Sequence, residues 1–419
     1  MTPAEDCSLS RRALLSRGAA VGLAAMAAPS VLPRYAFAAA DSGSHRPAGR
    51  LVVVFLRGAV DGLSLVVPHH DANYYKLRPT LAVPAKSVHD LDGRFGLHPS
   101  LAPLMPLWRK NELAVVQATG LDTTADYSHF DAQATMEAGS DDPGLSTGWL
   151  ARHLLCRPQA TDTLRAVSFG QHVAASLVGW GHTTAMTGLE AFQLDTAPAA
   201  YELVMKALDR LYSDSGRPAT EAAHETFNAL QRVAAVRASS YTPSHNVSYP
   251  TSLLGAALLD IAKVIKDVPQ LEAVTVDAYG VDAFGWDTHA GQNIALPPLL
   301  ADLAACLTAF VTDLDDEMHN TTVVVMSEFG RRVEENSAGG TDHGHGNVMF
   351  VLGRGIHGGK VFTKWPGLGD KQLDYGDLAV TTDYRQVVGD VIAHRLGNPR
   401  IGQVFPGLAF SPVGLTHIR

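Results

Sequence analysis

The stretch LVVVFL, residues 51–56, decides the fold class of this chain. An uninterrupted apolar run rich in valine is typical of a strand that is buried on both faces of a mostly parallel sheet. A strand with one face in water would instead alternate apolar and polar residues. Similar runs recur at residues 113–117, 164–169, 273–278, 322–326 and 348–352.

Helical patterns separate these apolar runs, at residues 200–212, 253–266 and 299–318. Alternating strands and helices predict an α/β fold, in which helices sandwich a mostly parallel sheet. Residues 170–251 differ, because they are first glycine-rich and loop-like and then helical. We interpret them as an insertion or cap on a single α/β domain that spans residues 41–419.

The composition excludes several protein classes. The chain has 419 residues, of which 46% are hydrophobic and 18% charged, so disorder, a collagen-like repeat and a polytopic membrane protein are excluded. Its 33 basic and 42 acidic residues give a formal net charge of −9. Such a chain has no overall attraction for nucleic acid, which is therefore not an expected partner.

The N-terminus carries the pattern of an export signal. Arg11 and Arg12 precede a short, glycine- and alanine-rich apolar stretch and then small-residue cleavage motifs near residues 36–40. This order predicts a twin-arginine signal peptide over residues 1–40, with the Tat export machinery as partner and a periplasmic or secreted location. The apolar stretch is too short to serve as a membrane anchor, so no stable span is expected after cleavage.

Cysteine usage bears on redox chemistry and on zinc binding. Cys7 falls within the predicted signal peptide, which leaves Cys156 and Cys306. These two could form a disulfide in an oxidising compartment, but Cys306 lies in an apolar, helix-like stretch, and two buried thiols are the preferred interpretation. A four-cysteine zinc site is excluded.

Carboxylates and imidazoles follow the predicted strands. In open α/β sheets, ligands bind beyond the carboxyl ends of the strands. The candidate groups there are Asp61 in RGAVDG (57–62), Asp287 and His289 in GWDTH (285–289), Glu328 in SEFGR (327–331), and Asp342, His343 and His345 in GGTDHGHG (339–346).

The spacing of these residues suits a divalent metal. Asp287 and His289 are two apart, so in extended backbone both side chains leave the same face and can bind one ion. His343 and His345 have the same relation, while Asp342 points the other way. Mixed carboxylate and imidazole ligands suit zinc, manganese or iron better than magnesium or calcium, and zinc or manganese is the expected cofactor.

Each candidate also has a purely structural alternative. Asp61 could cap a turn, Glu328 could pair with Arg331 or Arg332, and a single histidine usually has a structural role. Only the joint occurrence of several such groups at strand ends favours the metal site.

The segment DYSHFD, residues 126–131, opens a helical pattern. Ser128 with Asp131 three residues later is a helix-capping signature, which accounts for the pattern by itself. A helix N-terminus also binds anions, so the Ser128 hydroxyl is an alternative candidate for a nucleophile.

These motifs together resemble a known family. The twin-arginine start, RGAVDG, SHFD at 128–131, DTH at 287–289, SEFGR, GTDHG at 340–344 and TTDYR at 381–385 resemble the exported family catalogued as domain of unknown function 1501. That family is similar in fold to the alkaline phosphatase and sulfatase superfamily, and the resemblance covers essentially the whole chain after the signal.

The resemblance implies roles for individual residues. Asp61 matches the metal-binding carboxylate after the first strand, and Asp287 with His289 matches a carboxylate–histidine ligand pair. Glu328 stands where the superfamily has the aspartate of an Asp-His pair, but Phe329 replaces the histidine. The missing imidazole could come from His343, with Asp342 or His345. Ser128 lies near the place of the nucleophile, and Arg57 or Arg331 would hold the anion.

The resulting hypothesis is an exported, metal-dependent hydrolase of phosphate or sulfate esters, acting on a small-molecule or polymer-linked ester. The alternative is a non-catalytic exported binding protein on a degenerate phosphatase-like fold, which Phe329 favours.

Overall fold

The structure, a computed structural model, describes residues 47–121, 127–142, 144–157, 162–197, 200–213, 218–280 and 285–417. The predicted signal peptide lies outside these residues. The strands are β1 (Arg50–Leu56), β2 (Val66–Val67), β3 (His89–Asp90), β4 (Gly96–Leu97), β5 (Leu113–Gly120), β6 (Ala166–Phe169), β7 (Thr183–Met186), β8 (Ala273–Ala278), β9 (Thr321–Met326), β10 (Asn347–Leu352), β11 (Lys360–Phe362) and β12 (Thr382–Asp383).

The α-helices are α1 (Gly62–Leu65), α2 (Ala72–Leu77), α3 (Met105–Arg109), α4 (His129–Ala138), α5 (Trp149–Leu155), α6 (Tyr201–Leu211), α7 (Pro218–Ala238), α8 (Leu253–Asp267), α9 (Gln292–Leu314), α10 (Tyr384–His394) and α11 (Ile401–Val404).

One large sheet organises the described residues. Its strand order is β11-β5-β10-β9-β1-β8-β6-β7, with β12 also paired to β5, while β2, β4 and β3 form a small separate sheet. Neighbours in the large sheet are parallel except β10, which runs antiparallel to both β5 and β9. The predicted α/β fold with a mostly parallel sheet is confirmed.

Strand β1 lies in the middle of the sheet and shows why its sequence is apolar throughout. It pairs in parallel with β8 on one side and β9 on the other. Val52 and Val54 pack into a core that includes α8 and α9, whereas Leu51 and Val53 pack into a second core on the opposite face, with α5 and α10. Each fully buried side chain of this kind stabilises the fold by about 1.5–3 kcal/mol.

Helix α9 confirms the pattern predicted over residues 299–318, but it begins at Gln292 and ends in a 3₁₀ turn, Asp315–His319. By length and composition the stretch Gln292–His319 is long and apolar enough to cross a membrane. Its apolar side chains, however, pack in the core against the sheet and α8. Cys306 of this helix and Cys156 are both buried, and no disulfide joins them.

Residues 170–251 contribute to the sheet as well as covering it. Strand β7 lies within this segment and pairs in parallel with β6 at the edge of the large sheet. Helix α7 places Leu230 and Val233 in the same core as α9.

Strand directions bring several loops to one place. Because β1, β8 and β9 are parallel, the segments that follow them leave the same edge of the sheet. Strand β10 is antiparallel to β9, so the segment that precedes it reaches this edge too. The N-terminus of α4 adds His129 at the same edge.

Candidate metal centre

Three imidazoles and one carboxylate converge at this edge of the sheet. Asp287 and His289 follow β8, His343 precedes β10, and His129 is the first residue of α4. The His289 Nε2 atom lies 2.9 Å from His343 Nε2, and the two nitrogens lie 3.1 Å and 3.2 Å from the same oxygen, Asp287 Oδ1. His129 Nε2 lies 3.5 Å from Asp287 Oδ2.

These spacings are those of ligands around one ion. Four ligands at zinc-like bond lengths of about 2.0–2.1 Å in a tetrahedron stand about 3.3 Å apart from each other. Donor atoms of His129, Asp287 and His343 all lie within 4.8 Å of one another. His289 lies beside this group of three and contacts His343 and Asp287 through its Nε2 atom.

The second ring nitrogen of each histidine has an oxygen acceptor. Nδ1 of His129 lies 2.8 Å from Glu328 Oε1, Nδ1 of His289 lies 2.9 Å from Asp342 Oδ1, and Nδ1 of His343 lies 2.7 Å from the carbonyl oxygen of Tyr127. Carbonyl and carboxylate oxygens only accept, so each Nδ1 carries the proton and donates it. In a neutral ring this leaves the lone pair on Nε2, the atom that faces Asp287.

One buried atom supports a cation at this place. Among the described residues, His129 Nε2 is buried and has no hydrogen-bond partner. A buried ring nitrogen without a hydrogen-bond partner is costly, and a metal ion that displaces its proton would satisfy it. His129, Asp287 and His343 are therefore spaced to bind one divalent ion, and His289 adds a fourth donor of a suitable type beside them.

Electrostatics keep Asp287 ionised. Burial by itself would raise the pKa of Asp287, but hydrogen bonds from His129 and His343 and the charge of Arg331 lower that pKa well below its usual range. Arg331 Nη2 lies 2.5 Å from Asp287 Oδ1, and the arginine side chain is 0% exposed. Without an ion, the neighbouring carboxylates of Asp287 and Glu328 raise the pKa of His129 to about 9, so an ion that binds Nε2 would displace a proton from this ring.

Glu328 holds His129 in place. Its Oε1 atom accepts three hydrogen bonds of 2.8 Å, from the backbone amide of Gly58, from His129 Nδ1 and from the side-chain amide of Gln133. Its Oε2 atom lies 2.9 Å from the Ser327 hydroxyl, whose one proton is also within hydrogen-bond distance, at 2.7 Å, of the Leu56 carbonyl oxygen. Both oxygens are thus in use within the protein.

Phe329 stacks on His129, with ring centroids 5.0 Å apart and planes inclined by 28°, and its ring centroid lies 5.0 Å from that of His343. Phe329 therefore supports two imidazoles of the cluster from the apolar side.

Two glycines allow the loops after β9 and before β10 to approach closely. A Cβ atom on Gly330 would lie 1.9 Å from the carbonyl oxygen of Gly346, and one on Gly344 would lie 2.4 Å from the carbonyl carbon of Arg331. Because only glycine fits at both positions, Arg331 and His343 can form a backbone bridge and bring their side chains to Asp287.

The sequence of residues 48–389 matches the family described as "Protein of unknown function (DUF1501)". The chain belongs to this family. No curated protein matches this DUF1501 chain.

Solved structures show a distant likeness in fold. Alkaline phosphatase from the Antarctic bacterium TAB5 is 11% identical, with a TM-score of 0.30 over 74% of this chain and 93% of that one. The PsFucS1 sulfatase from Pseudoalteromonas sp. is 10% identical, with a TM-score of 0.38 over 96% and 77%. Alkaline phosphatase from Thermus thermophilus is 15% identical, with a TM-score of 0.29 over 70% and 63%. At these values the likeness concerns the fold alone.

The structure of this DUF1501 protein does not bring Asp61 into the cluster. Arg78 binds the Asp61 carboxylate with both terminal nitrogens, at 2.5 Å and 3.0 Å, and Ser64 and Gln292 donate to it at 2.7 Å and 2.6 Å. Burial opposes ionisation, but the Arg78 charge lowers the pKa of Asp61 overall. Both oxygens of this buried carboxylate accept hydrogen bonds, so the structure places Asp61 in an ion pair with Arg78 and gives no support to its expected role as a metal ligand.

Two further candidates from the GGTDHGHG segment lie outside the ligand set. His345 binds Asp374 through Nδ1 at 2.9 Å and the carbonyl oxygen of Leu121 through Nε2 at 3.0 Å, so both ring nitrogens are used away from the cluster. Asp342 contacts His289 and not the convergence point. The hydrogen bond from His289 lowers the pKa of Asp342.

The candidate anion-binding and nucleophilic groups are placed as follows. The Arg57 guanidinium binds Glu137 and Asp277 at 2.7 Å each, so this arginine belongs to a buried network. Burial alone would lower the pKa of Arg57, but these two carboxylates raise it overall. Arg331 lies in the cluster. Ser128 caps α4, where its hydroxyl oxygen accepts a hydrogen bond of 3.4 Å from the amide of Asp131.

Sequence reasoning missed His129 as a candidate ligand. The signal was present, because His129 follows the capping serine and so occupies the first turn of a helix that opens at the strand-end edge. The capping pattern drew attention to the neighbouring hydroxyl instead.

Proposed function

We propose that this protein is a metal-dependent hydrolase of phosphate or sulfate esters. One observation carries the proposal: three imidazole Nε2 atoms converge on one carboxylate while each Nδ1 atom is fixed by an oxygen acceptor. Histidine rings oriented in this way are characteristic of protein metal sites.

The donors would be His129, Asp287, His289 and His343. Three imidazoles and a carboxylate favour zinc or manganese. A bound ion of this kind supplies Lewis-acid polarisation of an ester oxygen and stabilises developing negative charge.

The cluster is open on one side and closed on the other, as a substrate site requires. The His289 and Asp287 side chains are 44% and 37% exposed, whereas Arg331 is fully buried behind them. The Arg331 guanidinium places a fixed positive charge beside the carboxylate, where it would attract and orient an anionic ester. Helix α4, whose N-terminus enters the same site, adds the positive end of its dipole.

The proposal is tested by metal analysis of the purified protein followed by turnover of aryl phosphate and aryl sulfate esters. His343→Ala should remove both the bound metal and the turnover. His245→Ala is the matched control, because His245 pairs with Asp315 on the surface, away from the cluster. A wild-type protein that binds no divalent metal would refute the proposal.

The alternative function is a non-catalytic exported binding protein. It is favoured by the position of Ser128, whose hydroxyl is engaged in capping α4. A wild-type protein that binds metal tightly but turns over no ester would support this alternative. In either case we propose export by the twin-arginine route, from the Arg11-Arg12 signal.

A further inference from the structure

We infer that Glu328 is a positioning residue that sets the affinity of the metal centre through His129, and that it is not itself a metal ligand. This inference rests on the proposed metal centre and assigns a different role to a residue that the sequence places among the ligands.

The first argument is that the Glu328 carboxylate is buried and already contacts neighbouring donors through both oxygens. Its Oε1 atom accepts from Gly58, His129 and Gln133, and its Oε2 atom contacts the Ser327 hydroxyl. The side chain is 0% exposed. Turning either oxygen toward Asp287 would leave several buried donors without acceptors, which is unfavourable.

The second argument is that Glu328 determines which nitrogen of His129 faces the cluster. The Glu328 carboxylate accepts a hydrogen bond from Nδ1–H of His129, so Nε2 is the nitrogen that faces Asp287 and is available to an ion. Stacking of Phe329 on the ring restricts its remaining rotation.

The third argument is that Glu328 is itself held by a larger network. Gln133, which donates to Glu328, also accepts a hydrogen bond of 3.3 Å from Arg57. Arg57 is in turn held by Glu137 and Asp277. The position of His129 therefore depends on β1, β8 and α4 together, which makes the ring rigid before any ion binds.

Asp342 provides the internal comparison. It accepts from His289 Nδ1 just as Glu328 accepts from His129 Nδ1, but its side chain is 54% exposed. A hydrogen bond to water readily replaces an exposed acceptor, whereas a buried acceptor has no substitute. Loss of Asp342 should therefore weaken metal binding less than loss of Glu328.

The test measures the zinc dissociation constant by chelator competition, on variants whose folding is first checked by circular dichroism. Glu328→Ala should raise the constant about 10–100-fold, the usual effect of removing an outer carboxylate. Glu328→Gln keeps an oxygen acceptor and removes only the charge, so a smaller increase is expected; it also serves if the alanine variant fails to fold. Asp342→Asn should have a weaker effect than Glu328→Ala.

Glu272→Gln is the matched control. Glu272 is a buried glutamate that contacts the buried His153 at 3.1 Å, remote from the cluster, so its loss should change stability and leave the zinc dissociation constant unchanged. Nitrogen-15 NMR of the metal-free protein adds a second readout, since Glu328→Ala should shift the His129 Nδ1–H signal.

Two outcomes separate the inference from the proposed function. If the wild type binds zinc but neither Glu328 variant changes the dissociation constant, the positioning role is refuted and the metal centre stands. If the wild type binds no zinc, both are refuted. Ester turnover is not used as a readout, so the result does not depend on finding the substrate.

Discussion

Replacing Asp61 by asparagine distinguishes a structural carboxylate from a metal ligand. The Asp61 and Arg78 side chains are both 0% exposed. Besides the carboxylate, the guanidinium donates to the Ser64 hydroxyl and to the backbone carbonyl oxygens of Arg332 and Val333. Asp61→Asn leaves the arginine charge buried without a counter-charge. Breaking a buried pair in this way costs about 3–5 kcal/mol, a large share of a typical total stability of about 5–15 kcal/mol.

The asparagine keeps one carbonyl oxygen that can accept from Arg78, so we expect the lower end of that range. The assay is equilibrium unfolding in urea, carried out both with zinc and with a chelator, together with metal analysis of the folded variant. The loss of stability should be the same in both conditions, because the Asp61 carboxylate does not touch the proposed ion. The double variant Asp61→Asn, Arg78→Met should recover part of the loss, since it removes the unpaired charge as well.

The opposite result would refute this reasoning. If Asp61→Asn releases the metal while the free energy of unfolding in chelator is unchanged, Asp61 is a ligand, as its place after the first strand suggested.

Three further predictions concern other parts of the chain. Ser128→Ala should cost about 1 kcal/mol of stability through loss of the α4 cap and leave the zinc content intact; abolished ester turnover with intact metal would instead show a nucleophile. Burial would raise the pKa of Glu272, but His153 and Arg165 lower it from 4.5 to about 2. The ionised Glu272 carboxylate therefore contributes about 3 kcal/mol to the free energy of unfolding above pH 4.5, and this contribution is lost as the pH falls toward 2. In Glu272→Gln the free energy of unfolding should fall less steeply over this pH range. Replacing Arg11 and Arg12 by lysine should keep the precursor in the cytoplasm, and unchanged secretion on cell fractionation would reject the signal.

The central strands could be predicted because their signal is local. Residues 51–56, 273–278 and 322–326 are apolar without interruption, and the structure places them side by side as β1, β8 and β9. Strands β7 and β11 were not predicted, because Thr183–Met186 and Lys360–Phe362 are short and not uniformly apolar. The antiparallel direction of β10 depends on strand order, which no local pattern encodes.

The candidate site could be located from the sequence but not resolved into roles. Strand-end reasoning placed Asp287, His289 and Glu328 at one edge, as the structure does. Whether a carboxylate binds an ion or another side chain depends on partners that are distant in sequence. Arg78 follows Asp61 by 17 residues, and Glu328 and His129 are 199 residues apart. Such pairings arise only from the tertiary fold.

The close backbone contact at Gly330 and Gly344 has a consequence for comparing members of this family. A methyl group at either position would push His343 away from Asp287, yet it would leave every candidate ligand in the sequence unchanged. A homologue can therefore retain all four donors and still have lost the centre. Extending the proposed metal site to another member should require both glycines as well as the histidines and the aspartate, and we expect members that lack either glycine to lack the site.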